Sequence, residues 1–441
     1  MLMRRITLQA GQQLTKDVLA RSGGIDESIE RTAGEIIADV LARGDEALRD
    51  YTSRFDGAQL ADFRVTEAEM EACIKSADPA LVDALSNCAN RIVDFHERQV
   101  QQSWFATPRK GVMVGQQVTP LDRVGIYVPG GRADYPSTVL MNVIPALVAG
   151  VPEIAVVVPP QADGSLVDST MLACYVAGVD EIYKVGGAQA IAALAYGTAS
   201  IPAVDKITGP GNAYVAAAKM LVQGTVGIDM VAGPSEVLVL ADETANPAYV
   251  AIDLMAQAEH DPLAACYLVT TDASLPDKVE AQLATLLAQS SRADITRASL
   301  ADNGVVILCD TLDDALAASN YIAPEHLEVL TADPQSLLSE ISNAGAIFLG
   351  PWTPEAVGDY SAGPNHTLPT QGTARFYSPL GVDDFVKTSS VLSYSADALL
   401  AEADDVTLLA DTEQLWAHAQ SVRMRVAQLR EDQGKEADQS E

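Results

Sequence analysis

Residues 149–185 read AGVPEIAVVVPPQADGSLVDSTMLACYVAGVDEIYKV, and this stretch decides the fold. EIAVVVPP at 153–160 is an unbroken apolar run closed by prolines, the pattern of a strand buried on both faces. The spacing predicts a helix over 169–177 and a second strand at EIYKVGG, 181–187. There is an internal echo. Ala149-Gly150-Val151 followed by Glu153-Ile154 recurs 28 residues later as Ala177-Gly178-Val179 followed by Glu181-Ile182. That period is the length of one strand–helix unit, so the segment reads as part of a doubly wound sheet.

The same alternation extends outward. RVGIYVPGG (123–131) predicts a strand ending in a Pro129-Gly130-Gly131 turn. A helix is expected over 137–149, kinked at Pro145, and another over 188–197, closed by Gly197. DKITGPG (205–211) predicts a short strand and turn, and AYVAAAKMLVQG (213–224) a further helix. Beyond residue 236, EVLVLAD, ACYLVTTD, GVVILCD and GAIFLG read as strands, with helices expected over 246–260, 275–289 and 311–321. Helices are also expected over 27–51 and 81–104, and a terminal amphipathic one over 411–431 with Asp411 as its N-cap. The region before that last helix shows no strand pattern, and residues 431–441 read as disordered.

The expected architecture is α/β, with two Rossmann-like doubly wound domains, a helical N-terminal arm and a C-terminal helical dimerisation tail. The arm is residues 1–24. One Rossmann-like domain combines 25–126 with 236–380, the other is 127–235, and the tail is 381–441.

Composition narrows the function. The net charge of −32 repels phosphate backbones and argues against a nucleic-acid partner. Apolar runs stop short of membrane-spanning length, and MLMRRITLQAG lacks the apolar core of a signal peptide, so a cytoplasmic location is expected. The five cysteines are scattered without a Cys-x-x-Cys pair, so a bound metal takes His, Asp, Glu or Gln.

Gly209-Pro210-Gly211-Asn212 and Gly186-Gly187-Ala188-Gln189 follow strands and precede helices. Such turns suit a pyrophosphate or carboxylate, and equally well a plain chain reversal. Several at one sheet edge favour the ligand. Four of the five histidines lie in unusual surroundings. His260 ends a helix on the same face as Gln257, and His326 follows Glu325. His366 shares a Gly/Pro-rich loop with Asp359, and His418 lies in the terminal helix. Imidazole, carboxylate and amide oxygens form a donor set suited to Zn²⁺. The fifth, His96, sits in a charged stretch and reads as a surface residue. Glu325-His326 pairs an imidazole that can take an alcohol proton with a carboxylate that can take one from water. Oxidising an alcohol to an acid needs both.

With these residues in view the chain resembles the histidinol dehydrogenase family. The resemblance rests on RVGIYVPGG, STVLMNVIPA, VGGAQAIAALAYGT, DKITGPGNAYVAAAK, GIDMVAGPSEVLVLAD, AQAEHDP, APEHLE, GAIFLGPWTPEAVGDYSAGPNHTLPT and SPLGVDDFVK, in family order between about residues 121 and 387. It implies the NAD-linked oxidation of L-histidinol to L-histidine through a bound aldehyde. It implies zinc ligands Gln257, His260 and Asp359, with His418 donated by the other chain of a homodimer. It makes His326 and Glu325 the two bases, Ser235, His366 and Glu413 substrate contacts, and Tyr127, Gln189 and Asn212 NAD contacts. The alternatives are a relative acting on another small alcohol, such as a sulfonated diol, and a zinc hydrolase. The Gly turns and the lack of His-Glu-x-x-His weigh against hydrolysis.

Overall fold

The computed structural model describes residues 2–15, 18–19, 26–130 and 134–438. Gly131 of the first expected turn, residues 20–24 of the expected arm and the last three residues of the tail lie outside these. The chain forms two compact units, one of residues 1–100 with 121–385, the other of 101–120 with 386–441.

The larger unit holds two parallel sheets. One has five strands in the spatial order Ile182–Lys184, Glu153–Val158, Arg123–Tyr127, Lys206–Thr208, Gly227–Ile228. The other has six, in the order Arg4–Leu8, Gly304–Cys309, Ala265–Thr270, Glu236–Ala241, His326–Leu330, Ala346–Leu349. Numbered from Arg123–Tyr127 and from Glu236–Ala241, each sheet runs 3-2-1-4-5, the Rossmann order without its sixth strand, and the six-stranded sheet adds the N-terminal strand at its edge. The doubly wound expectation therefore holds for both sheets. The central strands Glu236–Ala241 and Ala265–Thr270 are buried along their whole length, as two-sided coverage requires.

The first residues correct the expectation of a helical arm. Arg4–Leu8 pairs in parallel with Val305–Cys309, which saturates the edge of the sheet. The helices Glu27–Arg43 and Pro79–His96 pack on the helices that cover the five-stranded sheet. Ile36 and Val40 of the first share a core with Val157 and Ile191, and Ile92 of the second shares one with Ile126 and Val156. These helices thus join the sheet of 123–228, whereas 25–126 had been expected to join the sheet of 236–380. Apolar periodicity identifies a buried face but not the partner it meets.

His96 is another correction. It is fully buried, and its Nδ1 lies 2.8 Å from the Ile92 carbonyl. Burial pushes its pKa down. The surrounding charges point the other way off the helix. The helix ends at His96, and Trp104 begins a strand.

The smaller unit contains an antiparallel sheet, Val386–Tyr394 against Val112–Pro120 against Trp104–Arg109. The nine-residue strand Val386–Tyr394 corrects the expectation of a strand-free tail. Its exposed polar residues (Thr388, Ser389, Ser390) hide the alternation. Two helices follow, Ala396–Thr412 and Trp416–Asp438. The chain breaks between them, with Gln414 in the left-handed region at φ 61°. Asp411 is therefore in the last turn of one helix and not the N-cap of the next, and helix continues to Asp438 in the stretch expected to be disordered. No described helix is long and apolar enough to cross a membrane.

Candidate active site

Two groups of residues meet the requirements set by the sequence, one on each sheet.

The first lies at the carboxyl ends of the five-stranded sheet. Tyr127 ends its strand and is buried, and its hydroxyl accepts from the Gly187 N–H at 3.1 Å. Burial pushes the phenol up to about 12, with Asp56 adding to the rise. Gly187 opens the helix Gly187–Tyr196, where Gln189 is buried with its Oε1 unpartnered. Gly209 has a φ of 112°, and a Cβ there would meet the Tyr127 carbonyl oxygen at 2.0 Å, so only glycine fits. A buried pair clamps this turn. Lys219 is paired with Asp229 and donates to the Gly209 carbonyl at 2.9 Å, while Asp229 accepts from the Gly209 N–H at 2.8 Å. Asn212 is the N-cap of helix Ala213–Val222 and accepts from the Tyr214 and Val215 N–H groups. The turn is thus braced beside two helix N-termini at one sheet edge. That edge is where parallel sheets bind anionic cofactors.

The second group lies at the amino ends of the six-stranded sheet. Ser235 precedes one central strand, and Glu325 precedes its neighbour, which begins with His326. Glu325 Oε2 accepts from the Glu236 N–H at 2.9 Å. His326 Nδ1 lies 3.1 Å from Gln257 Oε1 and 3.2 Å from the Glu236 carbonyl. Both partners are acceptors, so Nδ1 carries the proton and Nε2 carries the lone pair. That Nε2 is buried, has no hydrogen-bond partner, and lies 4.0 Å from Asp359 Oδ1. Gln257 ends the helix Pro247–Ala258, whose C-terminus brings its negative end here.

Carboxylates crowd this edge. Burial pushes Glu325 up to about 8, countered by His326 and the Glu236 N–H and assisted by Glu355. Glu355 is held well above the usual range by burial first, then by Asp359 and Asp253. Glu328 shares the strand face of His326, and burial with neighbouring Asp253 pushes it up to about 9. Glu328 Oε1 also accepts from the Glu355 N–H at 2.9 Å.

His366 Nδ1 lies 3.1 Å from the Asp359 carbonyl, and its pKa is lowered by burial, against an opposing pull from Asp359. His260 is lowered by burial in the same way, again with Asp359 opposing. The loop carrying Asp359 and His366 is tied to the other sheet's layer, since Asn365 Nδ2 donates to the Met141 carbonyl and Asn142 Nδ2 to Thr367 Oγ1. Gln257, His260, Glu325, His326, Asp359 and His366 are thus drawn together. Glu413 and His418 belong to the smaller unit. Glu413 caps the helix Ala396–Thr412, His418 lies in the first turn of Trp416–Asp438, and both are exposed.

Ligand atoms of His326, Glu355 and Asp359 lie within 4.8 Å of one another. His260, whose pKa burial lowers, and the neighbouring Asp359 carboxylate are nitrogen and oxygen donors, which fits zinc. A cation there also offsets the crowded negative charge. Glu355 was missed by sequence reasoning. Its only signal is that it stands four residues before Asp359, on the same face of the short helix Glu355–Tyr360.

Comparison with known proteins identifies the family. The family model described as histidinol dehydrogenase matches residues 19–426. A histidinol dehydrogenase of Geobacter sulfurreducens is 53% identical over 412 residues, covering 93% of this chain and 96% of that one. One from Halalkalibacterium halodurans is 50% identical over 424 residues, covering 96% and 99%. The crystal structure of the Elizabethkingia anophelis histidinol dehydrogenase superposes with a TM-score of 0.91 at 36% identity, covering 97% of this chain and 99% of that one. The chain belongs to the histidinol dehydrogenase family of NAD- and zinc-dependent oxidoreductases.

Proposed function

We propose that this chain oxidises L-histidinol to L-histidine with two NAD⁺, through an aldehyde that stays bound, as the last step of histidine biosynthesis. The observation that carries the reading is the bare, buried Nε2 of His326 beside a carboxyl poised near neutrality.

His326 takes the alcohol proton at Nε2, because its Nδ1 proton is already committed to the Glu236 carbonyl and Gln257. Glu325 accepts a proton from the water that adds to the aldehyde. A carboxyl pushed up to about 8 is a much stronger base than an ordinary one and still ionises near neutral pH. The Glu236 N–H fixes its Oε2, leaving the other oxygen for water. When bound, zinc supplies a fixed point for the substrate's imidazole and amino nitrogens, and NAD accepts the hydride. Gln257, His260 and Asp359 would hold the metal together with His418 of the partner subunit, and Ser235, His366 and Glu413 would contact the substrate. Tyr127, Gln189 and Asn212 would contact NAD. Keeping the aldehyde in this buried space protects it from side reactions.

The homodimer is supported by the smaller unit. Leu392, Leu408, Leu409, Trp416 and Met424 are each more than 60% exposed, an apolar surface that a monomer rarely leaves uncovered. If each site draws on two chains, mixing His326→Ala with His418→Ala protein restores activity. A verified mixed dimer that stays inactive contradicts the shared site. The high net negative charge supports the absence of a nucleic-acid partner, and DNA retention at physiological salt would contradict it. The reading places the enzyme in the cytoplasm, and recovery in a membrane or exported fraction would contradict that.

Zinc-loaded protein supplied with L-histidinol and NAD⁺ tests the function directly. The expected yield is about two NADH per histidinol consumed, one for each two-electron step. No NADH above background, with zinc confirmed bound, overturns the assignment.

A further inference from the structure

Asp56 is out of place as a structural residue. It closes the helix Asp45–Phe55, with its N–H bonded to the Thr52 carbonyl at 3.0 Å, and a carboxylate at a helix C-terminus faces the negative end of the dipole. Its Oδ2 is buried without a hydrogen-bond partner. Burial alone pushes its pKa up to about 6. Each of these features costs stability, a pattern expected of a residue kept for a ligand.

Its neighbours are the loops at the nucleotide edge. Asp56 is near enough to raise the phenol of Tyr127, which ends the first strand and accepts from Gly187 after the third. A Cβ on the next residue, Gly57, would touch Ala162 at 3.6 Å, in the loop after the second strand. The end of the helix Asp45–Phe55 therefore lies beside the carboxyl-end residue of the first strand and the loop after the second. In doubly wound nucleotide domains an acid at the end of the second strand accepts from the adenosine ribose. Here that strand, Glu153–Val158, runs into Pro159-Pro160-Gln161, and the first acid, Asp163, is exposed with its Oδ1 bonded to Ser165 N and Oγ at 2.9 and 2.7 Å. The usual position is empty of a free acid, and Asp56 offers one from outside the sheet.

We propose that Asp56 accepts a hydrogen bond from an adenosine ribose hydroxyl of bound NAD and disfavours a 2′-phosphate in its place. This rests on reading the five-stranded edge as the NAD site. It makes Asp56 a determinant of NAD over NADP.

The test is calorimetric titration of the zinc-loaded full chain with NAD⁺ and with NADP⁺. Asp56→Asn and Asp56→Ala are expected to weaken NAD⁺ binding about tenfold, the loss of one charge-assisted hydrogen bond, and to leave NADP⁺ binding unchanged or tighter. The melting temperature of the NAD-free protein at pH 8 is expected to hold or rise, because an unpaired buried charge is removed. Unchanged NAD⁺ affinity overturns the proposal. So does an equal loss for both nucleotides with a lowered melting temperature, which marks a merely structural residue. Gln189→Ala separates the two readings. If it weakens NAD⁺ binding and the Asp56 variants do not, only the Asp56 role fails. If neither weakens it, the NAD edge fails as well.

Discussion

The two sheets share one strand order and use opposite edges. In the proposed function the five-stranded sheet works at its carboxyl edge, where the helices Gly187–Tyr196 and Ala213–Val222 begin. The six-stranded sheet works at its amino edge, where the helix Pro247–Ala258 ends beside Glu325 and His326. Helix N-termini present free N–H groups and positive potential, which suits a dinucleotide's phosphates. A helix C-terminus presents carbonyls and negative potential, which suits a cation and an imidazole, and it raises nearby carboxyls. One topology thus supplies an anion site and a cation-and-base site, according to the edge that is used.

Substitutions that strike one edge alone test this division. The largest effect is expected from His326→Gln, which removes the bare Nε2. Turnover should fall by about 10²–10⁴, the range for losing a general base, while NAD⁺ binding stays within a factor of two or so. Stopped-flow turnover and calorimetric titration measure the two halves. Loss of NAD⁺ binding in this variant would break the separation of the edges.

Lys219→Met is the counterpart on the other sheet. It leaves Asp229 buried and unpaired, and a cost of about 3–5 kcal/mol is expected in denaturant unfolding. In protein that remains folded, NAD⁺ affinity should fall, because the Gly209 turn loses its brace. Zinc content should be unchanged. Loss of zinc instead would show that the edges are coupled. The smallest expected effect is that of Asn212→Ala, about 1 kcal/mol for a lost N-cap, with a matching fall in NAD⁺ affinity. Full affinity after that change would remove Asn212 from the NAD contacts.

Much of this was legible in the sequence, for local reasons. The apolar runs at 153–158 and 236–241 and the Gly-rich turns mark their elements by composition, so the strand alternation and both edges could be read. Glu325-His326 stood out because two basic groups are adjacent. What escaped depends on distant partners. The strand Arg4–Leu8 is defined by pairing with a segment some 300 residues away. The burial of His96 depends on what packs over its helix. The role of Glu355 arises only when its short helix folds back over Glu328 and His326. Neither Asp56 nor Lys219 has a motif, because each acts through a loop that is remote in sequence.

The central claim is that Glu325 and His326 divide the work, one activating water and the other taking the alcohol proton. Single-turnover analysis of Glu325→Gln, supplied separately with L-histidinol and L-histidinaldehyde across pH 6–10, tests it most directly. In the wild type, aldehyde oxidation should rise with pH through about 8 as Glu325 ionises, because only the carboxylate accepts a proton from water. In the variant that rise should vanish and aldehyde oxidation should fall by about 10²-fold or more, while oxidation of the alcohol to the aldehyde largely survives. Equal loss of both half-reactions, or a pH rise that persists without the Glu325 carboxylate, would contradict the account.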